Sequence, residues 1–170
     1  AGGVGTSAVE YAQHVGAEVF ASAGSETKRA YLRQRGVRYV TDSRNDTFVE
    51  DIRNWTHGEG VDVVLNTVSG TLLRQSLGVL RSFGRFVDLT KRDHMEDGYL
   101  RLAPFLHNLT YSLFDLQALI VKRPEQFRTA VQELLRLFEQ KVLSPLPIES
   151  FPIDQADAAF RHMSNANHMG

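Results

Sequence analysis

Ala1-Gly2-Gly3-Val4-Gly5-Thr6-Ser7-Ala8 opens the chain. Within it, Gly3-x-Gly5-x-x-Ala8 has the spacing of the turn between the first strand and first helix of a dinucleotide-binding βαβ unit. There the first glycine makes the tight turn, and the second leaves room for a pyrophosphate to approach the backbone. The third small residue lets helix and strand pack closely. The pyrophosphate sits on the N–H groups of the helix N-terminus, so Gly2, Gly3, Val4 and Gly5 are candidate cofactor-binding residues. The pattern requires a strand before Gly3, and the sequence starts at Ala1. The expected sheet therefore lacks its first strand, and the chain is expected to be cut from a longer polypeptide.

Outward from this turn, short β-like runs alternate with helical patterns. A helix is expected from Gly5 to His14, stopped by Gly16, then a strand over 18–22. Ser25 is placed to cap a helix through Gln34, with Gly36 ending it. Val37–Val40 reads as a strand, and Phe48, Ile52 and Trp55 as one face of a helix. Residues 61–65 are nearly all β-branched, as in a strand buried on both faces. Leu72, Leu73, Leu77 and Leu80 predict a helix stopped by Gly84, followed by a strand over 85–89. The alternation, with short connections, predicts an α/β fold with a doubly wound parallel sheet. After residue 90 the rhythm loosens: a loop with a short turn or helix over 92–107, then a strand over 108–113. Pro124 opens a long helix whose buried side is expected to carry Phe127, Val131, Leu134, Leu135 and Phe138. An edge strand over 146–151 and a helix capped by Asp154 through His162 complete the reading.

Composition narrows the function. With 170 residues, 42% hydrophobic and 23% charged, the chain has a globular composition large enough for one domain. A net charge of −1 implies no bulk attraction to nucleic acid or membrane, and no run approaches the length of a membrane-spanning helix. Cysteine is absent, which removes disulfides, thiolate nucleophiles and thiolate-held metals. This agrees with a reducing cytoplasmic setting. The six histidines show no metal-site spacing and read as surface or helix-end residues, so no metal is expected. Ser69 has no Gly-x-Ser-x-Gly around it and is no nucleophile elbow.

An NAD site places an acid about 20 residues past the glycines, on the ribose hydroxyls. Here that position reads Ala21-Ser22-Ala23-Gly24-Ser25. No carboxylate stands there to repel a 2′-phosphate. Ser22, Ser25 and Lys28 supply hydroxyls and a cation, and Ser43 and Arg44 follow the next strand, where a guanidinium suits the same phosphate. NADPH is the expected cofactor. Asn66 and Thr67 end the strand over 61–65, at the edge where ligands of parallel sheets lie, and are candidates for the nicotinamide ribose.

Gly2-Gly-Val-Gly5, Gly24-Ser-Glu-Thr-Lys-Arg29, Asp42-Ser-Arg44, Gly60-Val-Asp-Val-Val-Leu-Asn66, Gly84-Arg-Phe-Val87 and Lys91-Arg-Asp93 occur in this order, with Phe114-Asp-Leu116 beyond. Together they resemble the enoyl reductase domain of modular polyketide synthases and, more distantly, of animal fatty acid synthase. Both lie in the zinc-independent branch of the medium-chain dehydrogenase/reductase superfamily. The resemblance covers essentially the whole chain. It implies NADPH-dependent reduction of the α,β double bond of an enoyl thioester on an acyl carrier protein, with neighbouring synthase domains in the same polypeptide. Residues 1–170 then correspond to the NADPH-binding lobe, residues from about 146 onward leading back toward a substrate lobe that the chain lacks. On that reading the 170 residues alone are expected to be inactive.

The resemblance nominates Lys91 as proton donor and Asp115 as its partner. Lys91 follows the carboxyl end of a predicted parallel strand, on the ligand side. Asp115 also suits a plain helix cap. Two departures stand out: the family's Asn-Ser-Leu is Asn66-Thr-Val68 here, and its Ile-Gly before the lysine is Leu89-Thr90. Thr67 keeps a hydroxyl beside the ribose, while Thr90 narrows the pocket near the nicotinamide. Two alternatives remain: a freestanding quinone oxidoreductase-like enzyme, and a non-catalytic nucleotide-binding structural module. Product stereochemistry, and a variant chemistry that ends in ring closure, stay open.

Overall fold

The computed structural model describes residues 2–45, 47–165, 168 and 169. The chain divides into two compact units, Ala1–Asp42 with Thr129–Gly170, and Ser43–Arg128.

The first unit begins with α1 (Gly3–His14), β1 (Phe20–Ala23), α2 (Glu26–Gln34) and β2 (Tyr39–Asp42). β1 and β2 pair in parallel, Phe20 opposite Tyr39 and Ala23 opposite Asp42, with the Phe20 and Tyr39 rings stacked 4.7 Å apart. Ser25 caps α2 as expected, its hydroxyl accepting from Lys28 N at 3.3 Å. At the other end Gly36, at φ +83°, donates to Arg33 O, and Val37 N donates to Leu32 O. This Schellman closure needs the left-handed residue that glycine supplies without strain. Leu32, Val37, Val9 and Ala23 form the buried core.

The second unit holds α3 (Thr47–Trp55), β3 (Val61–Asn66), α4 (Thr71–Leu77), β4 (Leu80–Asp88), α5 (Arg92–Met95), β5 (Thr110–Leu113) and α6 (Leu116–Lys122), then the start of α7 (Pro124–Glu139). The sheet runs β3-β4-β5, all parallel. Phe86 is the centre of its core, with Leu73 and Leu77 of α4 against it and the Tyr111 ring stacked at 5.3 Å. The register sets Asn66 beside Asp88, and Asp88 beside Leu113, at the carboxyl ends.

Several expectations need correction. The helix expected through Leu80 stops at Leu77, and Leu80 starts β4. Val61 N donates to Val79 O at 2.9 Å, so strand pairing overrides the helical spacing. Gly84 therefore ends no helix. It lies in β4 after a register shift, where a Cβ would come within 2.8 Å of Arg81 O. β3 is not buried on both faces: Val64 packs on the Phe86 core, while Val63 and Leu65, on the opposite face, are exposed. In α7 Leu137 is buried and Phe127 and Val131 are half-buried as expected of that side, while Leu134, Leu135 and Phe138 are exposed. No strand forms over 146–151. Pro145, Pro147 and Pro152 lack the N–H a ladder needs. Asp154 lies inside a short 3-10 turn, Ile153–Gln155, and α8 (Ala156–Ser164) starts without a side-chain cap.

In the first unit Glu10 accepts from Arg35 Nη2 and from Ser144 N, both at 3.0 Å. One carboxylate of α1 thereby anchors a segment far along the chain.

Candidate functional site

Gly2 precedes α1 with φ −85°, and no side chain caps the helix. Thr6 N is bonded to Gly2 O, so helix geometry leaves the N–H groups of Gly3, Val4 and Gly5 without an intrahelical acceptor. A Cβ added at Gly2 or Gly5 would meet no atom within 4 Å, and neither residue has a left-handed φ. The chain's own packing and conformation therefore do not call for glycine there. A ligand approaching the helix end would. Thr6 Oγ1, just behind, is buried without a hydrogen-bond partner among the described residues. These features fit a nucleotide pyrophosphate.

Also in the first unit, Ser22 lies near the carboxyl end of β1, with Ser25 and Lys28 at the start of α2. Arg29, the last residue of the Gly24–Arg29 motif, links these elements. It donates to Ala23 O at 3.0 Å and pairs with Glu26 and Asp42, each at 3.0 Å. Ser43 and Arg44 belong to the second unit, on the segment leading to α3.

In the second unit the expected pair is formed: Lys91 Nζ stands 2.9 Å from Asp115 Oδ1, the side chains 46% and 37% exposed. The cap role of Asp115 holds as well, since the same oxygen accepts from Gln117 N at 3.0 Å and Ala118 N at 3.2 Å. The Lys91 ammonium, followed by these two bonds, holds the Asp115 carboxyl below its ordinary range. Asn66 ends β3, buried, and Thr67 follows it, exposed.

Sequence reasoning missed the carboxylate between them. Asp88 is fully buried, at 0% exposure. Its Oδ1 accepts from Asn66 Nδ2, Thr90 N and Thr90 Oγ1, each at 2.9 Å. Its Oδ2 accepts from Tyr111 OH at 2.6 Å, and His94 Nε2 stands 3.3 Å away. Burial pushes the Asp88 carboxyl up, but the bonds from Tyr111, Thr90 and Asn66 outweigh it and the net shift is downward. Tyr111 moves the other way, raised by burial and by the carboxylate it donates to. Asp93 also escaped notice as a tether: both its oxygens accept from Gly70 N, at 2.8 and 3.2 Å. The available signal was an acid inside an apolar strand run, Phe86-Val-Asp-Leu89.

The fold and these clusters are those of a Rossmann-like, nucleotide-binding α/β domain. Residues 3–136 match the family described as zinc-binding dehydrogenase. A highly reducing polyketide synthase of Emericella nidulans, AN6791, is 39% identical over the whole chain, which spans 7% of that protein. Among solved structures, CurK enoyl reductase superposes with TM-score 0.87 at 39% identity, over 100% of this chain and 50% of that one. The nucleotide-binding subdomain of the enoylreductase domain of PpsC from Mycobacterium tuberculosis gives TM-score 0.77 at 37% identity, over 84% of this chain and 80% of that one. The chain belongs to the zinc-binding dehydrogenase family and, within it, to the enoyl reductase domains of polyketide synthases. It spans half the length of CurK enoyl reductase and a small part of the synthase. The zinc of the family description does not fit these residues: cysteine is absent, and no group of three or more His, Asp or Glu among the described residues is placed to hold a metal ion. No helix of the described residues is long and apolar enough to cross a membrane.

Proposed function

We propose that the chain is the NADPH-binding part of an enoyl reductase that reduces the α,β double bond of an enoyl thioester carried on an acyl carrier protein. The observation that carries this reading is the Lys91–Asp115 pair at 2.9 Å, beyond the carboxyl ends of β4 and β5. Ligands of parallel sheets gather at that edge. When bound, NADPH supplies the hydride for the β carbon. The N-terminal turn of α1, from Gly2 to Gly5, takes the pyrophosphate. Ser22, Ser25 and Lys28, with Ser43 and Arg44, take the 2′-phosphate, and Asn66 and Thr67 the nicotinamide ribose. Lys91 donates a proton to the α carbon or stabilises negative charge developing on the thioester oxygen. Asp115 holds that ammonium charged and oriented.

The curated relative is a multidomain synthase, which supports a setting among neighbouring synthase domains. The test is to express the full-length protein and incubate it with a crotonyl thioester on carrier protein and NADPH. A saturated product with consumption of NADPH is expected. No consumption would overturn the reading, and a cyclised product would replace simple reduction by ring closure.

A further inference from the structure

We propose that Asp88 is the positioning residue of this site, acting through Thr90 and Asn66 to hold the Lys91 turn against the end of β3 and to face that edge with hydrogen-bond acceptors. The inference rests on the function proposed above for Lys91 and Asn66, neither of which Asp88 replaces. An ionised carboxylate only accepts. Thr90 has one hydroxyl proton, and it points to Asp88 Oδ1 at 2.9 Å, as does the Thr90 N–H. Asn66 Nδ2 gives one proton to Asp88 and the other to Val68 O at 2.7 Å. The donors of both side chains are thus committed inward. What remains is the Thr90 hydroxyl's lone pairs and Asn66 Oδ1, which has only a 3.4 Å contact from Val68 N. Such an edge suits a ligand group that donates, such as a carboxamide NH2 or a sugar hydroxyl.

The second consequence is spatial. Thr90 adjoins Lys91, so the two bonds from Thr90 to Asp88 fix where the lysine turn leaves β4. Asp93 fastens the other side of the turn to Gly70 N. The loops bearing Asn66–Thr67 and Lys91 are therefore joined by the backbone bond from Leu89 N to Asn66 O at 3.0 Å and by two carboxylates, Asp93 and Asp88, of which Asp88 is the buried one.

Two measurements test this in the full-length protein. The first is amide hydrogen exchange without cofactor: in Asp88→Ala, exchange at Thr90 and Lys91 is expected to rise at least about tenfold, while amides of α2 keep their protection. The second is steady-state kinetics. Thr90→Val, which keeps the shape and loses the hydroxyl, is expected to lower kcat about tenfold and move KM for NADPH less than about threefold. The Thr90→Val effect should vanish in the Asp88→Ala background, and Asp88→Asn, which keeps one oxygen for Thr90, should recover most of kcat. If Asp88→Ala does not fold, exchange is measured in Thr90→Val, which loses one of the two bonds to Asp88, and protection at Lys91 should fall there. Unchanged exchange at Thr90, or kcat losses that simply multiply, would overturn the inference. An inactive wild-type protein would overturn the proposed reduction instead, and the exchange arm would still decide the role of Asp88.

Discussion

Replacing Lys91 by alanine removes the ammonium from its carboxylate and separates the two things it is asked to do. Full loss of general acid catalysis costs about 10²–10⁴-fold in rate. Both side chains of the pair are more than a third exposed, at 46% and 37%, so water reaches the same position and replaces part of the function. The expected loss in kcat is therefore about tenfold to a hundredfold, below the full range. The groups proposed for the pyrophosphate and the 2′-phosphate are other residues, so the NADPH dissociation constant should move little. Lys91→Arg keeps the charge but scarcely gives up a proton. A low kcat in both variants identifies proton donation, whereas a recovered kcat in Lys91→Arg identifies charge stabilisation. Asp115→Asn keeps the cap on α6, because its oxygen still accepts from Gln117 N and Ala118 N, and should show a milder loss. Asp115→Ala loses pair and cap together. The wild-type carboxyl is held below its ordinary range, so Asp115 should add no acid limb to kcat above a pH of about 4. Stopped-flow and steady-state rates with a carrier-bound enoyl thioester, and cofactor titration by fluorescence, measure the quantities separately. Unchanged kcat in Lys91→Ala would remove the pair from the mechanism and assign the proton to solvent.

Gly5→Ala separates binding from folding: its Cβ meets no atom within 4 Å, so stability should hold or rise by about 0.5–1 kcal/mol, while NADPH affinity falls at least about tenfold by titration. NADPH should bind at least about tenfold tighter than NADH; Lys28→Ala or Arg44→Ala should erode that preference, and equal affinities in the wild type would refute the 2′-phosphate assignment. Asp88 has a lowered folded value, so its carboxylate contributes stability that is full above the ordinary unfolded value of about 3.9 and is lost as pH falls through the lowered one. Urea midpoints at pH 7 and pH 3 should therefore differ more in the wild type than in Asp88→Asn. Phe86→Ala, at the centre of its core, should cost about 3–5 kcal/mol in the same assay.

Most of the alternation was legible because local chemistry agrees with tertiary pairing there. Ser25, Gly36 and the apolar spacing of 47–55 each point to the element that forms. The errors fall where pairing or packing decides. Nothing local tells Leu80 to pair beside Val61 rather than extend α4, and the phase of α7 depends on what Leu137 packs against. The glycine turn and Ser25 could be found from spacing, and the resemblance pointed to Lys91 and Asp115. Thr90 is a near neighbour of Asp88 in sequence, but Asn66 and Tyr111 are brought to it only by the register of three parallel strands, so its partners could not be assigned.

The bond from Ser144 N to Glu10 spans 134 residues of sequence. The first unit is assembled from both ends of the chain, with the continuous stretch Ser43–Arg128 inserted within it. On a ribosome adding about 5–20 residues per second, roughly 100 residues separate Asp42 from Ser144, a delay of about 5–20 s. During that time α1 and α2 have emerged while Glu10 still lacks its distant partner. The inserted stretch has no such wait, so it is free to finish folding first, and the glycine turn reaches its final setting only late in synthesis. Pulse proteolysis of stalled nascent chains should show residues 43–128 protected before residues 2–42.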